Sequence, residues 1–579
     1  MSATGHDRLD TRGQSDVATV TERAATDIAR ALRLLGEGKL AAAGTLAREI
    51  LQTTPESADA LQMLAICEAS QGRVVNGREL LQRAVALQPD RTDLRINLAK
   101  VLERTGACRD ALEHLAYAGS RGMDIAPALR QLARRSNGFG DWATAIAALE
   151  ESVRLLPGDA AIHTELGKCH LSAGHLDDAE ICFRRAIALD PKASEPQVEL
   201  LRTLIEAGRP ADAVLACRDA LALRVSAERL NALGSALMAD RRAEEAIAAY
   251  EQAIALEPKV SGLHWNLAQA LLKVGDFERG WRAYEARRTY ATGRPPREPP
   301  QPRWTGKEPL AGKSILLQAE QGFGDTIQFA RFVPLLARRG ARVLLHIYAP
   351  LIRLLSTLDG VDDIIAREAP VPATDYFCPL GSLPLALQVD ASSIPADVPY
   401  LHPDRGLSQQ WASRLPSDGR PRVGICWSGR PTHVEDRFRS MRLECLRPLL
   451  QRREIHWICL QNDVREYDSS ILAEMPHVLS PGPQLVDFAD TAALADNLDL
   501  VLSVDSSPAH LAGALAIPLW LMLPYNAEYR WLDRTDRSAW YPTARLFRQH
   551  APLDWAGVVF EIGAALSTEG VASRRTRKS

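Results

Sequence analysis

The arrangement of apolar and polar positions changes once along the chain, near residue 300. Before that point the pattern is that of short helices that return at a fixed interval. After Ser314, β-rich apolar runs alternate with helical stretches such as TIQFARFVPLLARRG. The runs are SILLQ, ARVLLHIY, RVGICWS, EIHWICLQ, LDLVLSVD and PLWLMLP. This order predicts an α + α/β protein, with an all-α region followed by parallel sheets that carry helices on both faces.

An interval of 34 residues runs through the first region. Glycine marks the interval at Gly38, Gly72, Gly106, Gly140, Gly174 and Gly208; Arg241 then takes the glycine place one residue early, and Gly275 restores it. Small residues follow five positions later, at Ala43, Gly77, Ala111, Ala145, Ala179, Ala213, Ala246 and Gly280. Prolines close most units, at Pro55, Pro89, Pro157, Pro191 and Pro258. The pattern resembles the tetratricopeptide repeat, whose unit is a pair of helices.

The spacing has a mechanical reason. Glycine is expected in the tight turn between two helices because it adopts a left-handed conformation at little cost. The small residue lets the second helix approach the first, and proline ends that helix. We count about eight units over residues 24–290, stacked into a solenoid with a concave groove. Such solenoids bind peptides, partner proteins or their own next domain, and a spacer without a ligand is the simpler alternative.

The remaining boundaries follow from composition. Residues 1–23 are polar and are expected to be disordered, and residues 291–303 are rich in proline and arginine and predict a stiff linker. Residues 304–405 and 420–565 predict two Rossmann-like halves, and residues 566–579 form a basic tail. Two such halves would face each other across a cleft, with ligands at the carboxyl ends of the strands.

Three loops at predicted strand ends carry candidate chemistry. The first holds Gly322, Gly324 and Asp325 in a turn between a strand and a helix. A plain turn in which Asp325 caps the helix is the alternative.

The second loop follows strand 422–427 and is rich in arginine. Arg437 and Arg439 suit a diphosphate, because a guanidinium group donates two hydrogen bonds to phosphate oxygens. An exposed loop held by salt bridges is the alternative. Further candidates for contacts to the donor are Trp427, Ser428, Gly429, Ser440 and Gln461.

In the third loop, Asp505, Ser506 and Ser507 follow a strand, and Pro508 begins a helix that contains His510. Free backbone amides at a helix N-terminus attract anions. An ordinary helix cap with a packed histidine is the alternative.

In this order, the three segments resemble glycosyltransferase family 9, which includes the lipopolysaccharide heptosyltransferases. The resemblance covers about residues 304–565 and depends on GFGD at 322–325 and on the run from Asp505 to Ala514, which ends in HLAGA. It implies a GT-B fold, a nucleotide-diphosphate sugar donor of the hexosyl or heptosyl type, inversion at the anomeric carbon and no metal or cofactor. The first half, near 100 residues, is short for the family's acceptor half, which favours a protein or peptide acceptor bound with help from the repeats.

The resemblance also implies roles for residues. Asp325 would be the general base, and the 505–510 segment with Arg437 and Arg439 would hold the diphosphate. A carboxylate at a helix N-terminus is expected to keep a low pKa and stay ionised. A repeat scaffold whose transferase-like domain is catalytically silent is the competing interpretation.

Bulk properties add few constraints. A formal net charge of −3 gives no general attraction to nucleic acid. The nine cysteines are scattered without a CxxC pair or a Cys/His cluster at metal spacing, and no acidic DxD loop is present. No signal peptide precedes the repeats, and charged residues interrupt the most apolar stretch, at 498–524. We therefore expect a cytoplasmic protein without a transmembrane segment or a metal site.

Overall fold

The computed structural model describes residues 26–290, 298–433, 435–533, 535–572 and 574. The predicted disordered segment 1–23, residues 291–297 of the predicted linker, and residues 573 and 575–579 of the basic tail lie outside the described residues. By contacts the chain divides into two compact units, one ending at Ala207 and one beginning at Gly208. The C-terminal unit thus includes the last helices of the repeats as well as both sheets.

The first unit consists of paired helices. They are α1 (26–36), α2 (Leu40–Thr53), α3 (Ala58–Ser70), α4 (Val74–Leu87), α5 (Thr92–Arg104), α6 (Cys108–Ser120), α7 (Ala126–Gly138), α8 (Trp142–Leu155), α9 (Ala160–Ala173), α10 (Leu176–Leu189) and α11 (Glu195–Glu206). The repeats continue in the second unit with α12 (Pro210–Leu223), α13 (Ala227–Ala239), α14 (Ala243–Leu256), α15 (Ser261–Lys273), α16 (Phe277–Tyr284) and α17 (Arg287–Tyr290).

The expected turn chemistry is confirmed. The seven turn glycines have φ between 72° and 88°. The second helices end two residues before each proline, as α4 ends at Leu87 before Pro89. Arg241 adopts the same conformation with φ 59°, which is strained for a residue with a Cβ atom. Its side chain donates a hydrogen bond to the carbonyl of Asp533 (3.0 Å).

The strands of the described chain form two fully parallel sheets. The strands are β1 (Ser314–Gln318), β2 (Arg342–Ile347), β3 (Asp363–Ala366), β4 (Tyr376–Pro379), β5 (Arg422–Cys426), β6 (His456–Cys459), β7 (Leu500–Val504), β8 (Leu519–Leu523) and β9 (Ala544–Arg548). The first sheet has the order β3-β2-β1-β4 and the second β6-β5-β7-β8-β9 among the described residues. All six predicted strands are present.

Helices connect and cover the strands. They are α18 (Phe323–Ala330), α19 (Val333–Arg338), α20 (Ile352–Leu355), α21 (Leu383–Ala386), α22 (Arg405–Arg414), α23 (Asp436–Arg439), α24 (Leu443–Leu450), α25 (Glu466–Ala473), α26 (Phe488–Ala495), α27 (Ser507–Ala514) and α28 (Trp555–Glu569). Helix α28 therefore continues four residues into the segment that the sequence assigned to the tail. No helix among the described residues has the length and apolar character that crossing a membrane requires.

The last repeat packs into the α/β region. Trp281 of α16 is 2% exposed and donates a hydrogen bond from Nε1 to the carbonyl of Val389 (3.1 Å). Lys273 at the end of α15 is buried and donates to the carbonyl of Ala527 (2.7 Å). Trp281 belongs to the same apolar core as residues of both sheets. The last helices of the solenoid therefore pack directly against the α/β region.

Candidate functional site

The first motif lies at the carboxyl end of β1, at the start of α18. Gly322 is the N-cap, with an extended φ of −66° and ψ of 176°, and Asp325 is the third residue of the helix. The Asp325 Oδ2 atom accepts a hydrogen bond from the backbone N–H of Gly322 (3.0 Å), which satisfies a free donor of the helix end. The expected glycine-bearing turn is therefore wrong in detail, since Gly324 and Asp325 lie within the helix.

Gly324 is where the first and third motifs meet. A Cβ atom at this position would lie 2.7 Å from Cδ2 and 3.3 Å from Nε2 of His510. Helices α18 and α27 therefore pack together through a position that tolerates only hydrogen as a side chain. This contact joins two segments about 180 residues apart in the chain and brings the carboxyl end of β1 close to that of β7.

The third motif follows β7 as expected. Ser506 is the N-cap of α27, so Pro508 is the second helical residue rather than the first. The Ser506 hydroxyl shares a hydrogen bond with the hydroxyl of Ser503 (3.0 Å), so it faces the interior. Ser507 is half-buried at the first helical position. The motif thus presents a helix N-terminus at the carboxyl end of the second sheet.

His510 is packed rather than presented to a ligand. It is 5% exposed, and its Nδ1 atom shares a hydrogen bond with the Tyr541 hydroxyl (2.9 Å). Burial lowers the pKa of His510 well below its ordinary value, and nearby arginines act in the same direction. The imidazole is therefore neutral at pH 7 and favours the alternative of a packed histidine, while a contact of His510 with a donor stays a prediction.

Asp505 is a buried acid. It is 7% exposed, and desolvation together with the neighbouring Glu528 raises the pKa of Asp505 to about 6. Its Oδ1 atom lies 3.8 Å from Nε2 of His510. A carboxyl group in this setting does not by itself attract a diphosphate by charge, and the expected place of Asp505 in the donor-binding segment stays a prediction.

Arg530 lies beside Asp325, and the sequence did not indicate it. Its guanidinium group contacts the carboxylates of Asp325 and Glu528 and the side-chain oxygen of Gln328. The Arg530 side chain is 4% exposed and lies in a short 3₁₀ helix, Tyr529–Trp531, between β8 and β9. It follows the carboxyl end of β8, so the rule that led to the other loops could have found it.

Asp325 combines an ion pair with burial. Desolvation raises the pKa of Asp325 above its ordinary value, while Arg530 and the Gly322 N–H act against this rise. The expected low pKa is therefore wrong, because loss of solvent outweighs the helix N-terminus. A quarter of the Asp325 side chain (25%) stays exposed, so the carboxylate is reachable from solvent.

The arginine loop contributes Arg439 to the same cluster. The guanidinium group of Arg439 covers Gly429, where a Cβ atom would lie 2.7 Å from Nη2. Its charge acts on both Asp505 and His510. Arg437 is exposed and lies over the ring of Phe438 (4.8 Å from its centre). The two arginines therefore differ, with Arg439 facing the third motif and Arg437 at the surface.

Trp427 and Gln461, two candidates for contacts to the nucleotide sugar, make their hydrogen bonds inside the second half. Gln461 accepts hydrogen bonds from the backbone N–H groups of Trp427 (2.8 Å) and Ser428 (3.1 Å) and donates to the Ser428 hydroxyl (2.9 Å). Trp427 is fully buried and donates from Nε1 to Asp468 (2.8 Å). Both side chains are thus engaged in contacts within this half, and their expected contacts to base or ribose stay a prediction.

Ser440 also acts within the loop. Its hydroxyl donates to Asp436 (2.7 Å) and accepts from the backbone N–H of Gly429 (2.9 Å). Asp436 is buried and contacts Arg465, which also donates to the carbonyl of Gly429 (3.1 Å). Ser440 thus fixes the strand-to-loop connection that carries Arg439.

Side chains of the last repeat contact residues next to the first motif. Tyr284 of α16 is 1% exposed, and its hydroxyl donates to Gln321 (3.0 Å), directly before the first motif. Its ring lies edge-on to Tyr529, beside Arg530. Arg287 of α17 contacts Glu320 and donates to the Ser382 hydroxyl (2.7 Å). The last repeat therefore contacts the two residues that precede the first motif and the tyrosine next to Arg530.

The comparisons with known proteins identify the helical region. Models of the tetratricopeptide repeat match residues 34–90, 138–195 and 237–286, and a second model of the same repeat matches residues 198–261. This region is a tetratricopeptide-repeat solenoid. Repeats of this type are typical of protein–protein interaction.

Similarity to curated and solved proteins is weaker. The chain is 24% identical to Protein FlbA of Caulobacter vibrioides over 489 residues, which are 74% of this chain and 82% of that protein. Among solved structures, Naa15/Naa10 bound to HypK matches 47% of this chain with 18% identity and a TM-score of 0.36, but the chain spans less than half (43%) of that structure's chain. A repeat-containing protein from Cytophaga hutchinsonii matches 42% of this chain and 99% of its own, with 15% identity and a TM-score of 0.32. Both TM-scores are below 0.5, and they say nothing further about this chain.

Proposed function

We propose that the protein is an inverting, metal-independent glycosyltransferase that moves a sugar from a nucleotide-diphosphate donor to a hydroxyl acceptor. The observation that supports this is the contact of Gly324 with His510, which brings the 322–325 and 505–514 motifs together beside Arg530. A contact that needs glycine at one motif and a buried histidine at the other is expected when the two motifs serve one site. The solenoid would bind the acceptor or a partner protein.

Asp325 is the proposed general base. A direct displacement at the anomeric carbon needs one group to take the proton of the attacking hydroxyl. Asp325 is partly exposed, and its raised pKa makes it a stronger base than a free aspartate. Arg530 holds the carboxylate in place through one oxygen, and the Gly322 N–H does so through the other.

The diphosphate is proposed to lie against Arg439, Arg437 and the N-terminus of α27. As the sugar departs, negative charge grows on the diphosphate, and fixed positive groups oppose it. Ser507 and the backbone N–H groups at the start of α27 supply further donors at that end. Asp505, with a pKa of about 6, can hold a proton beside this charge at slightly acid pH.

The acceptor is proposed to enter along the last repeat. Tyr284 is buried against Gln321 and Tyr529, so the last repeat lies next to the residues that precede Asp325. The first sheet has only four strands among the described residues, so the first half is small for an acceptor half. This favours a protein or peptide acceptor that is bound with help from the repeats.

Asp325→Asn tests the proposal. The amide keeps the shape and loses the basic oxygen, so transfer should fall by about 10²–10⁴-fold while donor binding is retained. Asp375→Asn is the matched control, because Asp375 accepts from the backbone of Ser314 at the opposite end of β1. The measurement is radiolabelled sugar released and transferred from a panel of nucleotide sugars. Equal rates for Asp325→Asn and wild type would remove Asp325 from the chemistry.

A specific observation also favours the silent scaffold. Both carboxylate oxygens of Asp325 have partners, one in Arg530 and one in Gly322. In such a protein the domain would still bind a nucleotide sugar or its partner without turnover. Donor binding without transfer, combined with partner capture that depends on the solenoid, would support this second function.

A further inference from the structure

The turn between α9 and α10 brings together three side chains with metal-binding atoms. His170 lies in the last turn of α9, His175 is the N-cap of α10, and Asp178 is in the first turn of α10. Gly174 between them has φ 81°, and this left-handed turn folds the two histidines toward each other. Among the described residues this is the group of three whose ligand atoms all lie within 4.8 Å of one another.

The two known distances are close to those around a tetrahedral ion. The Nδ1 atoms of His170 and His175 are 3.5 Å apart, and Nδ1 of His170 is 4.0 Å from Oδ2 of Asp178. Zinc bonds to nitrogen and oxygen are about 2.0–2.2 Å long, so neighbouring ligand atoms of a tetrahedral site lie about 3.4 Å apart. Small rotations of the exposed His175 and Asp178 side chains would close the remaining gap, since only His170 is buried.

A hydrogen bond alone explains the pair less well. The separation of 3.5 Å is at the outer limit for a nitrogen–nitrogen hydrogen bond. The ring centres are 5.7 Å apart and the planes are inclined by 48°, which is not a stacked pair.

We propose that His170, His175 and Asp178 bind a zinc ion. Two imidazoles and a carboxylate are a ligand set that zinc accepts. Three protein ligands leave a fourth position for water or for a side chain of a bound partner. The ion would fasten the end of α9 to the start of α10 and stiffen the fifth repeat. The inference stands independently of the proposed transferase chemistry.

The expectation of no metal site came from the sequence. The spacing His-x₄-His-x₂-Asp is not one of the paired cysteine and histidine spacings that mark zinc sites in a sequence. The three residues meet only because the repeat turn reverses the chain at Gly174.

The test is zinc binding by the full chain after removal of metal with a chelator. Bound zinc is measured after dialysis against micromolar Zn²⁺, for wild type, His175→Ala and Asp178→Ala. His175 and Asp178 are exposed, so both variants are expected to fold, which far-UV circular dichroism checks. His264→Ala is the matched control, because His264 is a half-buried histidine of another repeat whose Nε2 atom lies 2.8 Å from the carbonyl oxygen of Pro258.

The wild type and His264→Ala should bind one more zinc ion per chain than His175→Ala, and Asp178→Ala should bind at least about tenfold more weakly than wild type. Zinc should also raise the unfolding temperature of wild type but not of His175→Ala. Equal zinc content in wild type and His175→Ala, or no zinc bound by wild type, would overturn the proposal.

Discussion

At the residue scale, Asp505 combines deep burial with an acidic neighbour. The residue is 7% exposed, Glu528 lies nearby, and the pKa of Asp505 rises from 3.8 to about 6. The folded state therefore holds this proton more tightly than the unfolded state does. The stability that the proton contributes is complete below about pH 4 and is lost as the pH rises through about 6. This difference in pKa between the folded and unfolded states corresponds to about 3 kcal/mol of stability.

Asp505→Asn should remove this pH dependence. The amide has no proton to lose, so between pH 4 and 7 its unfolding free energy should decline less than that of wild type, by up to about 3 kcal/mol. Denaturant unfolding across this range measures the difference. Asp375→Asn is a control of opposite sign, because hydrogen bonds from Ser314 lower the pKa of Asp375 to about 2. Parallel curves for Asp505→Asn and wild type would contradict the assignment.

The sequence could indicate the site loops but not the environment of each side chain. Asp325, Arg439 and Asp505 were found because they follow strand ends, which the pattern of apolar runs predicts. The pKa of Asp325 and the burial of His510 depend on Arg530 and Tyr541, which come from distant parts of the chain. A single sequence carries no information on those contacts.

At the element scale, the approach of α18 to α27 holds the two motifs together. A Cβ atom added to Gly324 would lie 2.7 Å from Cδ2 of His510, which is too close for a methyl group. Overpacking of this kind commonly costs about 1–3 kcal/mol when the neighbour cannot move. His510 is fixed by Tyr541, so relief by rotation of the ring would break a buried hydrogen bond.

Gly324→Ala should therefore destabilise the protein by about 1–3 kcal/mol and weaken donor binding. Gly563→Ala is the matched control, since Gly563 is also helical and its added Cβ would make only an ordinary contact of 3.4 Å with Leu449. Urea unfolding compares the two variants. If Gly324→Ala were as stable as Gly563→Ala, the two motifs would not depend on this close approach.

Elements were predictable where their pattern was long or repeated. Six strands and the helix pairs were found, whereas β3, β4 and β9 were missed. The strands β3 and β4 have only four residues, and the latter ends in Pro379. The strand β9 reads ARLFR, in which arginines flank the apolar residues. Such short runs form strands because neighbouring strands pair with them, which is a tertiary effect.

At the scale of the whole molecule, the last repeat belongs to the unit that contains the sheets. Trp281 packs edge-on against Tyr284, Tyr529 and Trp540, with ring centres 5.5–6.4 Å apart. The sequence placed the change of pattern after Tyr290 but could not indicate which repeats pack onto the sheets. Solenoid and α/β region are therefore linked energetically at this end of the repeats.

Trp281→Ala should lower the unfolding free energy of the C-terminal unit by about 3–5 kcal/mol, as expected for loss of a buried tryptophan. Trp142→Ala is the control, because Trp142 is 41% exposed and lies in the other unit. Denaturant unfolding with separate probes for the two units measures both. A Trp281→Ala protein as stable as Trp142→Ala would show that the last repeat adds nothing to the α/β region.

The most direct test of the proposed site is a thermal-shift panel of nucleotides and nucleotide sugars on wild type, Arg439→Gln and Arg447→Gln. Arg447 is the control, because it pairs with Glu444 and Glu474 on the surface of the same half. A ligand at 100 times its dissociation constant adds about 2.7 kcal/mol of stability. We expect one nucleotide class to stabilise wild type and Arg447→Gln but not Arg439→Gln. No shift with any nucleotide, or an equal shift in Arg439→Gln, would contradict a nucleotide-sugar site here.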